Sequence, residues 1–419
     1  MVVTGIVAEY NPFHNGHLYH IKQAKEQTAA DFLVVVMSGD FVQRGAPAIL
    51  CKEERAGMAL EAGADLVLEL PVCYATASAE LFAGGAVFLL HSLGCVNYLC
   101  FGSECGNISQ LSAAASILLN EGVLFQSVLQ HNLKHGATYA AAMEQALKAA
   151  MEESFSDPEH PGESASFQTV TASPNNLLGI EYIKALRRFH SKIIPVTIQR
   201  QGASYTDCRL SSASSFSSAS AIRMELVSHG VTKQLREAVP ESVFLRMKEL
   251  EGCLFPIVPD DFSPQLNYAR LMAGDYRCYC DISEELANRM EKKRFQGYSF
   301  EEMILELKTK QYTYNRISRG LLHLMLGITD EAMMCWNPLR LETPPNSYAR
   351  VLGFRQSAFP LLHEIKKQST VPLITKLAAA KENAMLQLDI RSSHMYHMAV
   401  YEKFRTRLSD EYRREILIF

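Results

Sequence analysis

Hydrophobic residues fall in short, β-branched runs, separated by polar turns and by stretches with helical spacing. The first run covers residues 4–9 and stops at Asn11-Pro12. Apolar positions then recur at helical spacing over 17–28. A second run, 32–37, is closed by Ser38-Gly39-Asp40. The pattern predicts a helix over 52–62, a strand over 65–70, a helix over 78–90 and a strand over 98–101. A helix over 176–189 and a strand over 192–197 follow. Strands alternating with helices predict an α/β domain, a doubly wound parallel sheet covered on both faces.

Two stretches interrupt this order. Residues 152–172 are polar and acidic and hold two prolines, which reads as a surface loop or insertion. Residues 207–220 are rich in serine and end where a helix over 221–229 begins. Past residue 259 strand-like runs vanish. Helical periodicity takes over at 284–295, 299–311, 316–326 and 358–368, and again from 397 onward. The expected organisation is an α/β domain over 1–260 and a C-terminal α-helical domain over 261–419.

The 419 residues are 48% hydrophobic, ample for a packed core. No apolar run approaches the length of a membrane span, and residues 1–7 lack the basic start and cleavage site of a signal peptide. A cytoplasmic protein without a membrane partner is therefore expected. The ten cysteines are scattered and form no CxxC pair, so no metal site is expected from them. Net charge is −4 but uneven: residues 281–419 carry 21 Lys and Arg against 17 Asp and Glu, giving +4, and the remainder carries −8. A basic C-terminal third on an acidic protein hints at a polyanionic partner.

The chemistry concentrates in GIVAEYNPFHNGHLYH, residues 5–20. It has the layout strand, turn, helix, and ligands of open α/β sheets bind beyond such strand ends. His14 and His17 lie three apart and can share one face of the first helical turn. Gly16 lets a phosphate or base approach the backbone. Asn11 and Asn15 can fix the turn locally. Imidazole N–H groups aimed at phosphate oxygens would stabilise a leaving pyrophosphate. A metal site at His14, His17 and His20, or a plain surface turn, are the competing readings.

This HxGH resembles the signature of the nucleotidyltransferase superfamily that includes class I aminoacyl-tRNA synthetases and small-molecule adenylyltransferases. Those enzymes carry a second phosphate-contacting motif downstream. Ser218-Ala219-Ser220-Ala221-Ile222-Arg223 matches it at a helix start. Its hydroxyls can cap the helix, and Arg223 adds a charged donor.

The stretches SGDFVQRGAPA, DLVLELPVCYATASAELFA, FGSE, SPNNLLGIEYIKAL, YNRISRGLLHLMLGI and YARVLGF extend the likeness over both expected domains. Together they resemble the bacterial tRNA(Met) cytidine acetate ligase family. The resemblance implies a Rossmann-like, HUP-type catalytic domain. It also implies ATP-dependent activation of acetate to acetyl-adenylate and acetylation of the wobble cytidine of elongator tRNA(Met). His14, His17, Ser218, Ser220 and Arg223 would then be catalytic. An ATP site is implied at Gly5, Ile6, Val7, Glu9, Tyr10, Asn11, Pro12, Phe13, Asn15, Gly16 and Leu18, joined by Gly102, Asn175 and Arg200. Mg²⁺ is expected to bridge the phosphates. Asp40 departs from the family pattern, which has Asn there.

Other residues divide between roles. Arg44, in the turn Gln43-Arg44-Gly45, is a phosphate or RNA candidate. Lys52 and Arg55 open a helix, where the dipole disfavours cations, so each should face an anion or solvent, and Lys52 is taken as an RNA contact. Glu80 and Glu104 could hold ribose hydroxyls or a metal-bound water, with Glu104 reading as structural. Tyr312, Arg316 and Arg319 form a basic-aromatic group suited to RNA. A small-molecule adenylyltransferase would share both motifs but leaves the basic helical region unexplained. A non-catalytic nucleotide- or RNA-binding protein would fit a degraded HxGH, and here both histidines are present.

Overall fold

The computed structural model describes residues 1–137, 139–154, 173–200, 217–309 and 311–419. The described strands are β1 (Val3–Ala8), β2 (Phe32–Ser38), β3 (Phe41–Val42), β4 (Ala46–Pro47), β5 (Leu66–Leu70), β6 (Tyr98–Ser103), β7 (Ile194–Gln199), β8 (Ala349–Phe354), β9 (Leu373–Ile374) and β10 (Leu417–Ile418). One sheet runs in the order β10-β8-β5-β2-β1-β6-β7, with β9 beside β8, while β3 and β4 form a separate hairpin. From β5 to β7 every pairing is parallel.

Alternation along β2 accounts for the two-layer cover. Val34 and Val36 join Leu66 and Leu68 in one core, and Leu33, Val35 and Met37 join Val67 in the other. Helices Asn15–Thr28 and Lys52–Glu61 pack on the second face, through Ile21, Ala24, Ala56 and Ala59. Helices Ala79–Ser92 and Pro174–Arg188 pack on the first, through Phe82, Ala86, Ile180 and Ile183. The chain order reverses between β1 and β6, and that switch point opens a crevice at their carboxyl ends.

The α/β elements expected from the pattern are present to within a few residues. Residues 261–419 are mainly helical, with helices Ser263–Met272, Glu284–Glu291, Phe300–Leu307, Tyr314–Leu326 and Ala384–Phe404. Strands nevertheless do not vanish past 259: β8, β9 and β10 extend the N-terminal sheet, with β8 antiparallel to β5. Every residue of β8 is buried. Its Arg350 is neutralised inside by Glu69, Nη1 to Oε2 at 2.8 Å, and by Glu411. Residues 152–154 finish helix Tyr139–Ser154; the rest of the acidic segment, and residues 207–216 of the serine-rich one, lie outside the described residues. Among the described residues no single helix is long and apolar enough to cross a membrane.

Candidate active site

The HxGH turn is held by its own histidines. His14 is the N-cap of helix Asn15–Thr28, and its Nδ1 accepts the Gly16 N–H at 3.1 Å. The His14 N–H in turn donates to His17 Nδ1 at 3.2 Å. This is a capping box built from imidazoles. The two rings stack with centroids 3.7 Å apart. A backbone N–H can donate only to an unprotonated nitrogen, so each neutral ring carries its hydrogen on Nε2. Burial, then the charges of Arg200 and Arg223, push the His14 pKa down to about 3. Burial and the neighbouring His14 lower His17 as well. The pair is therefore neutral at physiological pH, and each ring presents an Nε2–H donor.

The second motif meets the first directly. Ser218 caps helix Ala219–His229, its Oγ accepting the Ala221 N–H at 3.1 Å. Arg223 donates from Nη1 to the Asn11 carbonyl at 2.7 Å and from Nη2 to Ser220 Oγ at 3.1 Å. Burial, with Arg44 nearby, moves the Arg223 pKa down to about 10, so the guanidinium keeps its charge at neutral pH. Asn11 Oδ1 accepts the Ile49 N–H at 2.8 Å, and Asn15 Nδ2 donates to the Glu237 carbonyl at 2.8 Å.

A cavity of about 580 Å³ opens at the carboxyl ends of β1 and β6. Of the expected site residues, Val7, Glu9, His14, Gly16, His17, Gly102, Asn175, Arg200, Ser218, Ser220 and Arg223 line it. The other members of the implied ATP segment stand behind its wall. Gly5 lies against Leu90, where a Cβ would come within 2.7 Å of Cδ1. Ile6, Tyr10 and Phe13 are core residues, with Leu18 packed against them. Asn11, Pro12 and Asn15 shape and brace the turn.

The RNA candidates separate. Arg44 and Arg319 line the cavity, Arg319 holding Asp281 through two bonds of 2.8 and 3.1 Å. Arg316 is exposed and lies over the Tyr312 ring at 5.2 Å. Tyr312 is only 6% exposed, and its hydroxyl contacts Ser283 and Glu285, so it offers no free stacking face. Lys52 is a correction: it is fully buried, and its Nζ contacts Glu69 at 2.8 Å, Ser393 at 2.7 Å and Glu411 at 3.1 Å. RNA cannot reach it. Asp40 accepts the Lys52 N–H at 2.9 Å. Arg55 is also buried and donates to the carbonyls of Leu50, Glu9, Ser38 and Gly39. Glu80 pairs with Arg188 at 2.7 Å on the surface.

His20, Phe82, Phe101, Tyr182 and Asn315 line the cavity without having been expected there. The spacing of His14, His17 and His20 was a signal for the first. Asn315 comes from the helical region, and nothing local marks it.

A family model described as HIGH Nucleotidyl Transferase matches residues 1–411. A tRNA(Met) cytidine acetate ligase of Acetivibrio thermocellus is 38% identical over 430 residues, covering 100% of both chains. One from Clostridium kluyveri is 40% identical over 95% of both. The chain belongs to the tRNA(Met) cytidine acetate ligase family. Crystal structures of the Thermotoga maritima protein TmcAL agree in fold: the apo form superposes with a TM-score of 0.88 and a form bound with alpha-thio ATP with 0.85, each at 30% identity over the whole chain. Membership makes this protein an enzyme, a ligase built on a nucleotidyltransferase fold. For a tRNA(Met) cytidine acetate ligase the cavity has a fitting charge. Arg44, Arg200, Arg223 and Arg319 line it against a single carboxylate, Glu9, among the described lining residues.

Proposed function

We propose that this chain joins acetate to the wobble cytidine of elongator tRNA(Met) at the expense of ATP, giving N4-acetylcytidine. The observation that carries the proposal is the neutral His14–His17 pair beside Arg223 in one cavity. Acetate expels oxide poorly, and the cytosine amine is a weak nucleophile, so the acyl group must be activated. An acetate oxygen attacks the α-phosphorus of ATP, and the bond to the β-phosphate oxygen breaks. Pyrophosphate leaves. His14 and His17, each through its Nε2–H, and Arg223 stabilise the charge that gathers on it; one such donor is worth about 3 kcal/mol. Cytosine N4 then attacks the acetyl carbonyl, AMP departs with the electron pair, and N4 loses a proton. No covalent enzyme intermediate is required.

Among the described residues no group of three His, Cys, Asp or Glu could hold a metal ion. Mg²⁺ arriving with the nucleotide would supply further positive charge against the leaving pyrophosphate. We assign adenylate formation to residues 1–260 and much of the tRNA affinity to the basic region 261–419, in the cytoplasm where tRNA is found. ATP–pyrophosphate exchange with and without acetate tests the first step, and nucleoside mass spectrometry of treated tRNA(Met) tests the second. Exchange driven by another acceptor would favour a small-molecule adenylyltransferase, and absence of exchange a binding protein.

A further inference from the structure

Glu104 follows the last residue of β6 and ties together two walls of the cavity. Its Oε1 accepts from Asn175 Nδ2 at 2.7 Å, and its Oε2 accepts the Asn176 N–H at 3.0 Å. Asn176 returns the contact: its Oδ1 accepts the N–H groups of Glu104 at 2.9 Å and of Cys105 at 3.2 Å. Asn176 is fully buried. Helix Pro174–Arg188 receives no side-chain cap from Ser173. A carboxylate from another element supplies that cap, on the end of the helix where the dipole favours negative charge.

The clamp also sets a polarity. A carboxylate only accepts hydrogen bonds, so Asn175 must turn its amide NH₂ toward Glu104. With one amide hydrogen spent on Glu104, Asn175 keeps its carbonyl oxygen and its second N–H for the cavity it lines. The HxGH and SASAIR segments offer that cavity donors, the imidazole Nε2–H groups and the Arg223 guanidinium. Oxygens of phosphate or acetate cannot donate to Asn175, whereas a hydroxyl or an amine can.

We propose that Glu104 is a positioning residue that holds Asn175 as a hydrogen-bond acceptor for the nucleoside of ATP, either a ribose hydroxyl or the adenine amine. The inference rests on the ATP-binding part of the function proposed above, and binding rather than turnover tests it.

Calorimetry on the full chain would compare ATP with 2′-deoxy-ATP, 3′-deoxy-ATP and purine riboside triphosphate, which lacks the amine. The analogue missing the donor that meets Asn175 should bind about tenfold more weakly than ATP. Glu104→Gln frees the Asn175 amide to turn. It should raise the ATP Kd about tenfold and shrink the discrimination to about twofold, with the melting temperature within a few degrees of the parent. Asn175→Ala should lose the same discrimination with Glu104 intact, which covers the case of a Glu104 variant that fails to fold. Equal binding of all four nucleotides by the parent chain overturns the proposal, as does full discrimination in either variant. Tight ATP binding without acetate-dependent exchange would instead sink the proposed function and leave the clamp standing.

Discussion

Arg223 and Asn11 lie 212 positions apart and are joined by one hydrogen bond, Nη1 to the carbonyl oxygen at 2.7 Å. The second phosphate motif is thereby fastened to the turn that carries the first. One planar guanidinium spans Asn11 and Ser220 at once. A lysine keeps the charge but not the fork. Arg223→Lys should therefore lower acetate-dependent exchange by about tenfold or more while the chain stays folded. Exchange at the parental rate would show that charge alone matters at this position.

The stacked imidazoles make a prediction about pH. His14 has a folded pKa of about 3 against an ordinary 6.5, so its neutral form persists through the physiological range. The exchange rate should show no ionisation of this pair between about pH 6 and about pH 8. Stability follows the same shift. The unfolded chain binds the proton more readily, so His14 contributes fully above pH 6.5 and loses that contribution as pH falls toward 3. At about pH 5 the loss is about 2 kcal/mol. Urea midpoints for the parent and His14→Ala, across that range, would check it. An equal acid loss in both would remove His14 as the source.

Gly45 brings the hairpin against the backbone of helix Tyr314–Leu326. It has φ +75, and a Cβ there would stand 2.6 Å from the Arg319 Cα. Ser318 Oγ donates to its carbonyl at 2.8 Å. Gly45→Ala should cost about 1–3 kcal/mol from backbone strain and displace Arg44 and Arg319 from the cavity. Chemical denaturation and an ATP titration on the same variant would show both effects. An unchanged midpoint would mean that the hairpin yields at no cost.

Lys52 and Arg316 should now behave as opposites. Lys52→Ala removes one of the two buried cations shared by Glu69 and Glu411, leaving Arg350 to face both carboxylates, and should cost about 3–5 kcal/mol. Arg316→Ala should leave the melting temperature nearly unchanged and lower the salt dependence of tRNA binding by about one phosphate contact. Filter binding across a salt series beside thermal melts would separate them. A lowered salt slope in folded Lys52→Ala would reverse the assignment.

The two motifs were legible because their structure is local. Histidines three apart and a serine at a helix start make short-range caps, and those are what the chain uses at His14, His17 and Ser218. The dipole argument was right that Lys52 faces an anion. It could not say that the anion is internal, because Glu69 and Glu411 arrive from distant segments. Strand β8 was hidden for a related reason. Arg350 and Gly353 break its apolar pattern, and both make sense only in three dimensions. The arginine is neutralised by Glu69 and Glu411, and a Cβ on the glycine would meet Leu60 at 2.6 Å and Leu417 at 2.8 Å. Asn315 and Arg319 reach the cavity through tertiary folding alone.

The antiparallel pairing of β8 with β5 has a consequence for synthesis. During translation β5 leaves the ribosome with its outer edge bare, and about 280 residues must be added before β8 can cover it. All five residues of β5 are buried in the finished fold, so the waiting nascent chain exposes a sticky apolar edge. Contacts so distant in sequence close slowly. Holdase chaperones should therefore engage this chain late in its elongation, and a stalled or truncated product should aggregate rather than persist as an independent nucleotide-binding half.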